Sequence, residues 1–199
     1  MIGVRGLRVR LGSSVIVDGV DLDVAAGEWV TVIGPNGAGK STVLRAVGGM
    51  LPFSGAVSLS GTPLERLTRR ERARTVATVV QSPVVPPGML VLDYVLLGRT
   101  PYIPALGRES AADLAAVQEV LELVDRLRAE RGLTVLATMH DLTIAGEYAD
   151  RMVLLAGGRV VAAGTAWEVL TEDLLARHYR VRVKVIDGGQ GPLVVPVRG

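Results

Sequence analysis

The chain has 199 residues, enough for one domain of ordinary size or slightly more. Hydrophobic residues make up 49% of it and charged residues 21%, which excludes wholesale disorder. The 22 basic and 20 acidic residues leave a net charge of +2, which gives no strong electrostatic case for nucleic-acid binding. The absence of cysteine excludes disulfides, thiolate metal sites and a cysteine nucleophile.

A mean hydropathy of +0.38 is high enough that a membrane span must be considered. The two longest uncharged stretches, 46–64 and 76–92, are interrupted by proline and glycine, and neither could satisfy its backbone hydrogen bonds in lipid. The sequence therefore predicts no membrane span. The residues after Met1 lack the pattern of a signal peptide, and the expected location is the cytoplasm.

The first half of the chain predicts strands followed by a helix. Residues 1–24 alternate apolar and polar side chains, which indicates antiparallel strands with turns at Gly12-Ser13 and Asp18-Gly19. Residues 28–33 form a β-branched apolar run, typical of a strand buried on both faces. Further elements are predicted in this order: a helix at 40–48, a strand at 56–60, a solvated helix face at 69–72 and a strand at 75–80.

The second half predicts helices alternating with strands. The predicted elements are helices at 89–98 and 109–131, a buried strand at 133–139, a helix to 148, hairpin strands at 152–156 and 159–163, a helix at 166–178, and strands at 181–186 and 193–197. Buried strands interleaved with helices predict an α/β fold, in which a parallel core is joined to an antiparallel N-terminal β-layer.

The strongest motif is the run GPNGAGKST at 34–42, which matches G-x-x-x-x-G-K-[S/T] between a predicted buried strand and a predicted helix. Glycines let backbone N–H groups curl around a phosphate, and the helix N-terminus adds partial positive charge. Lys40, one of only two lysines, would reach the β- and γ-phosphates, and the Ser41 hydroxyl could bind Mg²⁺. The motif predicts a site for a nucleoside triphosphate.

Other residues narrow the class of phosphate-loop protein. Asn36 is the only asparagine, so the Asn-Lys-x-Asp motif of guanine-specific proteins is absent. A small-molecule kinase is a weaker hypothesis, because it needs a lid rich in phosphate-facing arginines. The candidates for such a lid are Arg69, Arg70, Arg72 and Arg74.

The loop, the strand–glutamine step TVATVVQ at 75–81 and the strand end TMHDL at 138–142 together resemble the nucleotide-binding subunit of an ABC transporter. The stretches YADRM at 148–152 and GGRVVAAGT at 157–165 agree with this, and LGRTPY at 97–102 is similar to importers of iron chelates, haem and cobalamin. The resemblance implies a P-loop NTPase core with a helical subdomain, ATP and Mg²⁺ as cofactors, and a cytoplasmic position on the inner face of the membrane. It also implies transmembrane permease subunits, a second copy of the ATP-binding subunit and, indirectly, a substrate-binding protein as partners.

The resemblance assigns roles position by position. Gln81 would sense the metal and contact the membrane subunit, and His140 would be the switch histidine near the γ-phosphate. Taken alone, a glutamine after a strand is usually a polar loop residue, and a histidine at a strand end is usually structural. The residues that would hold phosphate are Gly34, Pro35, Asn36, Gly37, Ala38, Gly39, Lys40, Ser41 and Thr42, with Ser41 and Gln81 at the metal.

Two parts of the family pattern are missing. No L-S-G-G-Q signature lies between Gln81 and His140, and the sequence contains no Asp-Glu dipeptide to end the strand that holds Mg²⁺ and polarises the attacking water. Only 58 residues separate Gln81 from His140, whereas the missing elements would need roughly 40–60 more. The gap falls near Gln118-Glu119, where the helical period continues without a break. We therefore interpret 89–131 as the remnant of a helical subdomain, fused to the helix before the histidine strand, within a single domain of 1–199.

Two functions follow from this pattern. The first is an ATPase that couples MgATP binding and hydrolysis to the import of an iron-siderophore, haem or cobalamin-type substrate. The second is a shortened remnant that binds nucleotide without hydrolysing it, because the water-orienting carboxylate is gone. The loss of a central strand would also leave its neighbours' backbone groups unpaired and threaten folding.

Near Leu11, where the family usually places an aromatic residue on the adenine, the chain offers only an aliphatic side chain.

Overall fold

The computed structural model describes residues 1–79 and 111–197. The first part contains β1 (Ile2–Leu11), β2 (Ser14–Val24), β3 (Trp29–Ile33), α1 (Lys40–Val47), β4 (Ser54–Leu59), β5 (Thr62–Pro63) and α2 (Arg69–Thr75). The second part contains α3 (Ala111–Arg131), β6 (Val135–Thr138), α4 (Leu142–Tyr148), β7 (Arg151–Ala156), β8 (Arg159–Gly164), α5 (Ala166–Val169), α6 (Glu172–Tyr179), β9 (Val183–Asp187) and β10 (Pro192–Pro196).

A mixed sheet with the strand order β6-β3-β7-β8 forms the centre of the molecule. Strand β3 pairs in parallel with β6 on one side and with β7 on the other, and all five of its residues are buried. This is the environment that its continuous β-branched run predicts, since a strand covered on both faces has no solvated position. The predicted α/β fold with a parallel core is confirmed.

The N-terminal layer is an antiparallel sheet with the strand order β2-β1-β4-β5, as predicted. The turn at Gly12-Ser13 joins β1 to β2. The predicted turn at Asp18-Gly19 is wrong, because β2 continues through it to Val24. Gly19 instead has φ +71 at a shift in the β1–β2 register, so its left-handed backbone forms a bulge rather than a chain reversal.

Helix α1 packs in the core that the two sheets share. Its residues Val43, Ala46 and Val47 are buried together with Val4 and Leu7 of β1 and with Val30 and Val32 of β3. The spacing of the buried α1 residues by three and four places them on one helix face. Because α1 begins at Lys40, this packing fixes the end of the phosphate-loop motif against the sheet.

Two predicted elements differ from the structure. The strand at 75–80 is wrong: α2 extends to Thr75, residues 76–79 form no strand, and Val79 is 77% exposed. A strand needs a neighbour to pair its backbone, and no described strand lies beside this segment. The helix at 166–178 is two helices, because Leu170 leaves helical geometry and the Thr171 side chain accepts a hydrogen bond from the Leu174 N–H to start α6.

The segment that carries the predicted shortening shows two features. Helix α3 crosses Gln118–Glu119 without interruption. Strand β6 then forms one margin of the mixed sheet, and within 1–79 and 111–197 no strand pairs with its outer edge. The predicted helix at 89–98 and the end of the predicted strand at 75–80 lie outside the described residues. No helix in the described part of the chain is both long and apolar enough to cross a membrane.

Charged groups fix the amino-terminal ends of β3 and β7. The Arg151 Nε donates to Glu28 Oε1 at 2.8 Å, and the Trp29 backbone N–H donates to Asp150 Oδ2 at 2.8 Å. The hydrogen bond from Arg151 holds the pKa of the Glu28 carboxyl below its ordinary value. Arg128 of α3 also binds Asp150 and donates to the Gly27 carbonyl at 3.3 Å. These contacts align β3 and β7, whose opposite ends carry the candidate site.

Candidate functional site

The loop at 34–39 leaves the carboxyl end of β3 and enters α1. Gly34 has φ +150, and a Cβ built on it would lie 2.1 Å from the Leu155 carbonyl oxygen of β7. Gly39 has φ +101, and its Cβ would lie 3.0 Å from the Ile16 carbonyl oxygen of β2. Both positions therefore require glycine, because the chain passes directly against neighbouring backbone. Close packing is therefore one reason for glycine at these two positions of the motif.

The middle of the loop faces open space. Asn36 and Gly37 are exposed, and a Cβ on Gly37 would meet no atom within 4 Å. The Ala38 N–H donates to the Pro35 carbonyl at 3.1 Å, and the Gly158 N–H of the β7–β8 turn donates to the Ala38 carbonyl at 3.2 Å. Within the described residues the loop is thus supported on one side by the hairpin turn and exposed at Asn36 and Gly37.

Helix α1 begins without a side-chain cap from any described residue. The first N–H groups of a helix have no partner within it, and the aligned peptide dipoles make this end partly positive. Ser41 is exposed in the first turn and Thr42 is half-buried. The described geometry therefore combines a helix N-terminus, an exposed hydroxyl and an exposed glycine loop, which together suit a phosphate anion.

Lys40 lies inside this cradle. It is 6% exposed, and its Nζ donates to the Gly34 carbonyl at 2.6 Å and to the Pro35 carbonyl at 3.1 Å. Burial lowers the pKa of the ammonium from its ordinary value, because taking the charge out of water disfavours the protonated form. The partners of this ammonium among the described residues are neutral carbonyls, and a buried cation so placed gains most from an anion beside it.

His140 leaves the neighbouring strand at the same level. Thr138 of β6 pairs with Val32 of β3. His140 lies two residues after Thr138, and Gly34 lies two residues after Val32, so both follow the same end of the sheet. The side chain of His140 is exposed, and Asp141 caps α4 immediately after it by accepting hydrogen bonds from the Thr143 and Ile144 N–H groups at 2.9 and 3.0 Å. The carboxyl edge of a parallel sheet is where α/β proteins place their ligands. The structure brings His140 to the same edge as the loop.

Sequence reasoning missed two residues that shape this site. Leu155 lies against Gly34 with its backbone carbonyl and near Gly39 with its side chain, and the Gly158 N–H of the β7–β8 turn donates to the Ala38 carbonyl. The Gly157-Gly158 pair was visible as a hairpin turn, but no local pattern indicated what the turn contacts. Gln81 lies outside the described residues.

Known proteins match this chain over most of its length. Residues 17–152 match the family model described as ABC transporter. The hemin import ATP-binding protein HmuV of Myxococcus xanthus is 34% identical over 97% of this chain and 96% of its own length. The iron(3+)-hydroxamate import ATP-binding protein FhuC of Bacillus subtilis is 27% identical over 90% of this chain and 88% of its own. The dimeric structure of MJ0796, a bacterial ABC transporter cassette, has a TM-score of 0.68 at 19% identity and covers 83% of this chain and 99% of that one.

The match to HmuV also measures the shortening. Its alignment has 257 positions, and a chain of 199 residues leaves at least 58 of them without a residue. Since the alignment nevertheless covers nearly all of both chains, most of these gaps are internal, and their number agrees with the predicted loss. The fold, the loop geometry, the family match and the identity to HmuV converge. The chain therefore belongs to the ABC transporter family, whose ATPases bind ATP, as an internally shortened member without the signature and the Asp-Glu strand.

Proposed function

We propose that this chain is the ATP-binding subunit of an importer for an iron-siderophore, haem or cobalamin-type substrate. The observation that carries the proposal is the buried Lys40 ammonium inside an open glycine loop at the start of an uncapped helix. The names of its relatives, which specify import of hemin and of iron(3+)-hydroxamate, supply the substrate class.

Residues 34–42 would hold the phosphates of ATP. Lys40 would exchange the carbonyls of Gly34 and Pro35 for β- and γ-phosphate oxygens, and the loop N–H groups would donate to the same phosphates. The exposed Ser41 hydroxyl, with Gln81, would bind the Mg²⁺ that accompanies the nucleotide and neutralises phosphate charge. The described chain has no cluster of three or more carboxylate, histidine or cysteine groups that could hold a metal by itself.

His140 would donate a hydrogen bond to the γ-phosphate from the neighbouring strand end.

A second hypothesis is a subunit that binds nucleotide but does not hydrolyse it. The observation that favours it is the outer edge of β6, which no described strand covers, together with the absence of any Asp-Glu dipeptide in the sequence. Without a carboxylate to polarise water, several kcal/mol of transition-state stabilisation would be lost.

The assembly follows from the same proposal. The chain would pair with a second ATP-binding subunit and dock on permease subunits at the cytoplasmic face of the membrane, with a substrate-binding protein acting indirectly. Residues 89–131 would be what is left of the helical subdomain that makes such contacts, within a single ATP-binding domain of 1–199. The net charge of +2 gives no reason to add nucleic acid to these partners.

A thermal melt with and without MgATP tests the proposal. A ligand at 100 times its Kd stabilises the folded state by about 2.7 kcal/mol, and a domain of this size gains about 2–4 °C in Tm for each kcal/mol. We expect a cooperative melt that rises by about 5–10 °C with MgATP and much less with MgAMP. A melting temperature that does not change when millimolar MgATP is added contradicts the proposal. An assay of phosphate release with the ATP-bound chain then distinguishes the two hypotheses. Release supports an ATPase, and no release supports a subunit that binds nucleotide without hydrolysing it.

Leu11 offers a way to raise nucleotide affinity. Leu11 is 46% exposed at the end of the β1–β2 hairpin, where it pairs with Ser14. Ile16 and Val17, which follow Ser14 in β2, lie against Gly39 of the loop. We expect Leu11→Tyr to tighten MgATP binding about tenfold, because base–aromatic stacking is worth about 1–3 kcal/mol. Pyrophosphate, which has no base, should bind equally well to both proteins. Val161→Tyr, at an exposed apolar position of β8, is the matched control, and an equal gain there would refute a base contact at position 11.

A further inference from the structure

The turn between β7 and β8 contacts the phosphate loop and strand β2 at the same time. Gly158, the second residue of this turn, is buried, and its N–H donates to the Ala38 carbonyl of the loop at 3.2 Å. The Gly158 carbonyl accepts a hydrogen bond from the Asp18 N–H of β2 at 2.9 Å. A single residue therefore joins the loop to β2 through its own backbone donor and acceptor.

Gly158 leaves no room for a side chain between these segments. It has φ +76, and a Cβ built on it would lie 2.4 Å from the Ile16 carbonyl oxygen of β2. The same oxygen would lie 3.0 Å from a Cβ on Gly39 of the loop. Gly157 also has a left-handed φ, of +56, but it is exposed and a Cβ there would meet no atom within 4 Å. Strand β2, the loop and the turn therefore converge on the Ile16 carbonyl, and Gly158 is the turn residue packed against it.

The side chain of Asp18 holds the turn at a second point. Arg159, which follows Gly158, donates from its guanidinium to Asp18 Oδ2, and Arg8 Nε of β1 lies 3.0 Å from Asp18 Oδ1. The hydrogen bond from Arg159 holds the pKa of the Asp18 carboxyl below its ordinary value, so the carboxylate is charged at neutral pH. Asp18 therefore binds the turn twice, with its N–H at Gly158 and with its carboxylate at Arg159.

The contact with Ala38 bears on the site because Ala38 lies inside the loop. It is buried, its N–H donates to the Pro35 carbonyl at 3.1 Å, and it precedes Lys40 by two residues. Its side chain belongs to the same core cluster as Val17 of β2 and Leu155 of β7. A displacement of the turn would release the Ala38 carbonyl and loosen the backbone between Pro35 and Lys40, which would then have to be ordered again when phosphate binds.

We propose that Gly158 is a positioning residue of the phosphate loop, and that the ion pair between Asp18 and Arg159 holds the turn that carries it. The proposal rests on the nucleotide-binding function proposed above. A residue that orders the loop should affect every ligand that binds through phosphates, with or without a base. A residue that served the fold alone would change Tm and leave the affinity of the folded protein unchanged.

The first test compares Gly158→Ala with Gly157→Ala in the full chain. Both variants place alanine in left-handed backbone, whereas Gly158→Ala also drives a Cβ against the Ile16 carbonyl. MgATP and magnesium pyrophosphate are titrated into each folded protein. We expect Gly158→Ala to weaken both ligands by the same factor, about 10 or more, and Gly157→Ala to bind both within about twofold of the unmodified chain.

The second test keeps both glycines and needs no ligand. Asp18→Asn removes the charge that binds Arg159, and the matched control Asp23→Asn removes another carboxylate of β2, which binds Arg5 at 2.7 Å. Amide hydrogen exchange of the peptide 33–42 should be about 2–5-fold faster in Asp18→Asn, which is the effect of one exposed ion pair, and unchanged in Asp23→Asn. Asp18→Glu, which keeps the carboxylate, should restore most of the protection.

Each outcome decides one question. If the unmodified chain binds neither ligand, the proposed function fails and the positioning role fails with it. If the chain binds both ligands and the folded Gly158→Ala binds them within twofold of it, the positioning role is refuted while the nucleotide site stands. If Gly158→Ala does not fold, hydrogen exchange decides. Faster exchange of 33–42 in Asp18→Asn than in Asp23→Asn supports the proposal, and equal exchange in the two variants would overturn it.

Discussion

Lys40→Ala is expected to abolish binding of MgATP, with a loss in affinity of at least about 100-fold. The ammonium would make charge-assisted hydrogen bonds to two phosphate groups, and each such bond contributes about 1.5–3 kcal/mol. The apo protein should melt at the same temperature or slightly higher, because the substitution removes a buried cation whose partners among the described residues are the uncharged Gly34 and Pro35 carbonyls. Isothermal titration with MgATP, together with apo melts, measures both effects.

The chain supplies its own control for this substitution. Lys184, the other lysine, is exposed on β9, and Lys184→Ala removes the same charge without touching the loop. Lys40→Arg keeps the charge but offers a planar guanidinium, which we expect to bind MgATP almost as poorly as the alanine variant. Unchanged MgATP affinity in Lys40→Ala would eliminate the phosphate loop as the nucleotide site.

Gly34→Ala is expected to destabilise the fold by about 3 kcal/mol and to lower Tm by about 6–12 °C. The new Cβ would lie 2.1 Å from the Leu155 carbonyl oxygen, and backbone on both sides would have to move. The φ of +150 adds strain for any residue with a side chain. Urea unfolding measures the change in free energy, and the affinity for MgATP should fall as the loop leaves its place.

Gly61→Ala separates the steric part of this effect from the conformational part. Gly61 has φ +82 in the β4–β5 turn, and a Cβ there meets no atom within 4 Å. We expect it to cost only about 1 kcal/mol, from the left-handed backbone alone. If Gly34→Ala were no more costly than Gly61→Ala, the close packing of β7 against the loop would not be a feature of the protein in solution.

Local patterns predicted the parts of the fold whose structure depends on near neighbours. The run from Glu28 to Thr42 specifies strand, loop and helix within fifteen residues, and each step has its own cause in side-chain branching, glycine content or helix start. The β7–β8 hairpin follows from Gly157-Gly158 in the same way. The structure of these segments is determined by residues close together in sequence, so local patterns were sufficient to predict it.

Features that depend on distant partners were not predictable in this way. Gly19 has the same local signature in a bulge as in a turn, and only the register against β1 distinguishes the two. Residues 76–79 have the composition of a strand, but no described strand offers them a partner. The close approach of the Leu155 carbonyl to Gly34 spans 121 positions of sequence, and nothing near Leu155 marks it. The position of the glycine loop between β3 and α1 could therefore be predicted, whereas the residues that pack behind it could not.

The place of β6 in the sheet bears on how a protein survives the loss of an internal block. A deletion in the middle of a sequence could be expected to remove a central strand of the sheet. Here β3 nevertheless pairs with a neighbouring strand on each side. Since β6 and β7 both pair with β3 in the described part of the chain, the strand from which the loop emerges has a hydrogen-bonded neighbour on each edge, whatever the gap removed. An internal block can in this way leave a sequence while the framework behind the glycine loop keeps its pairing.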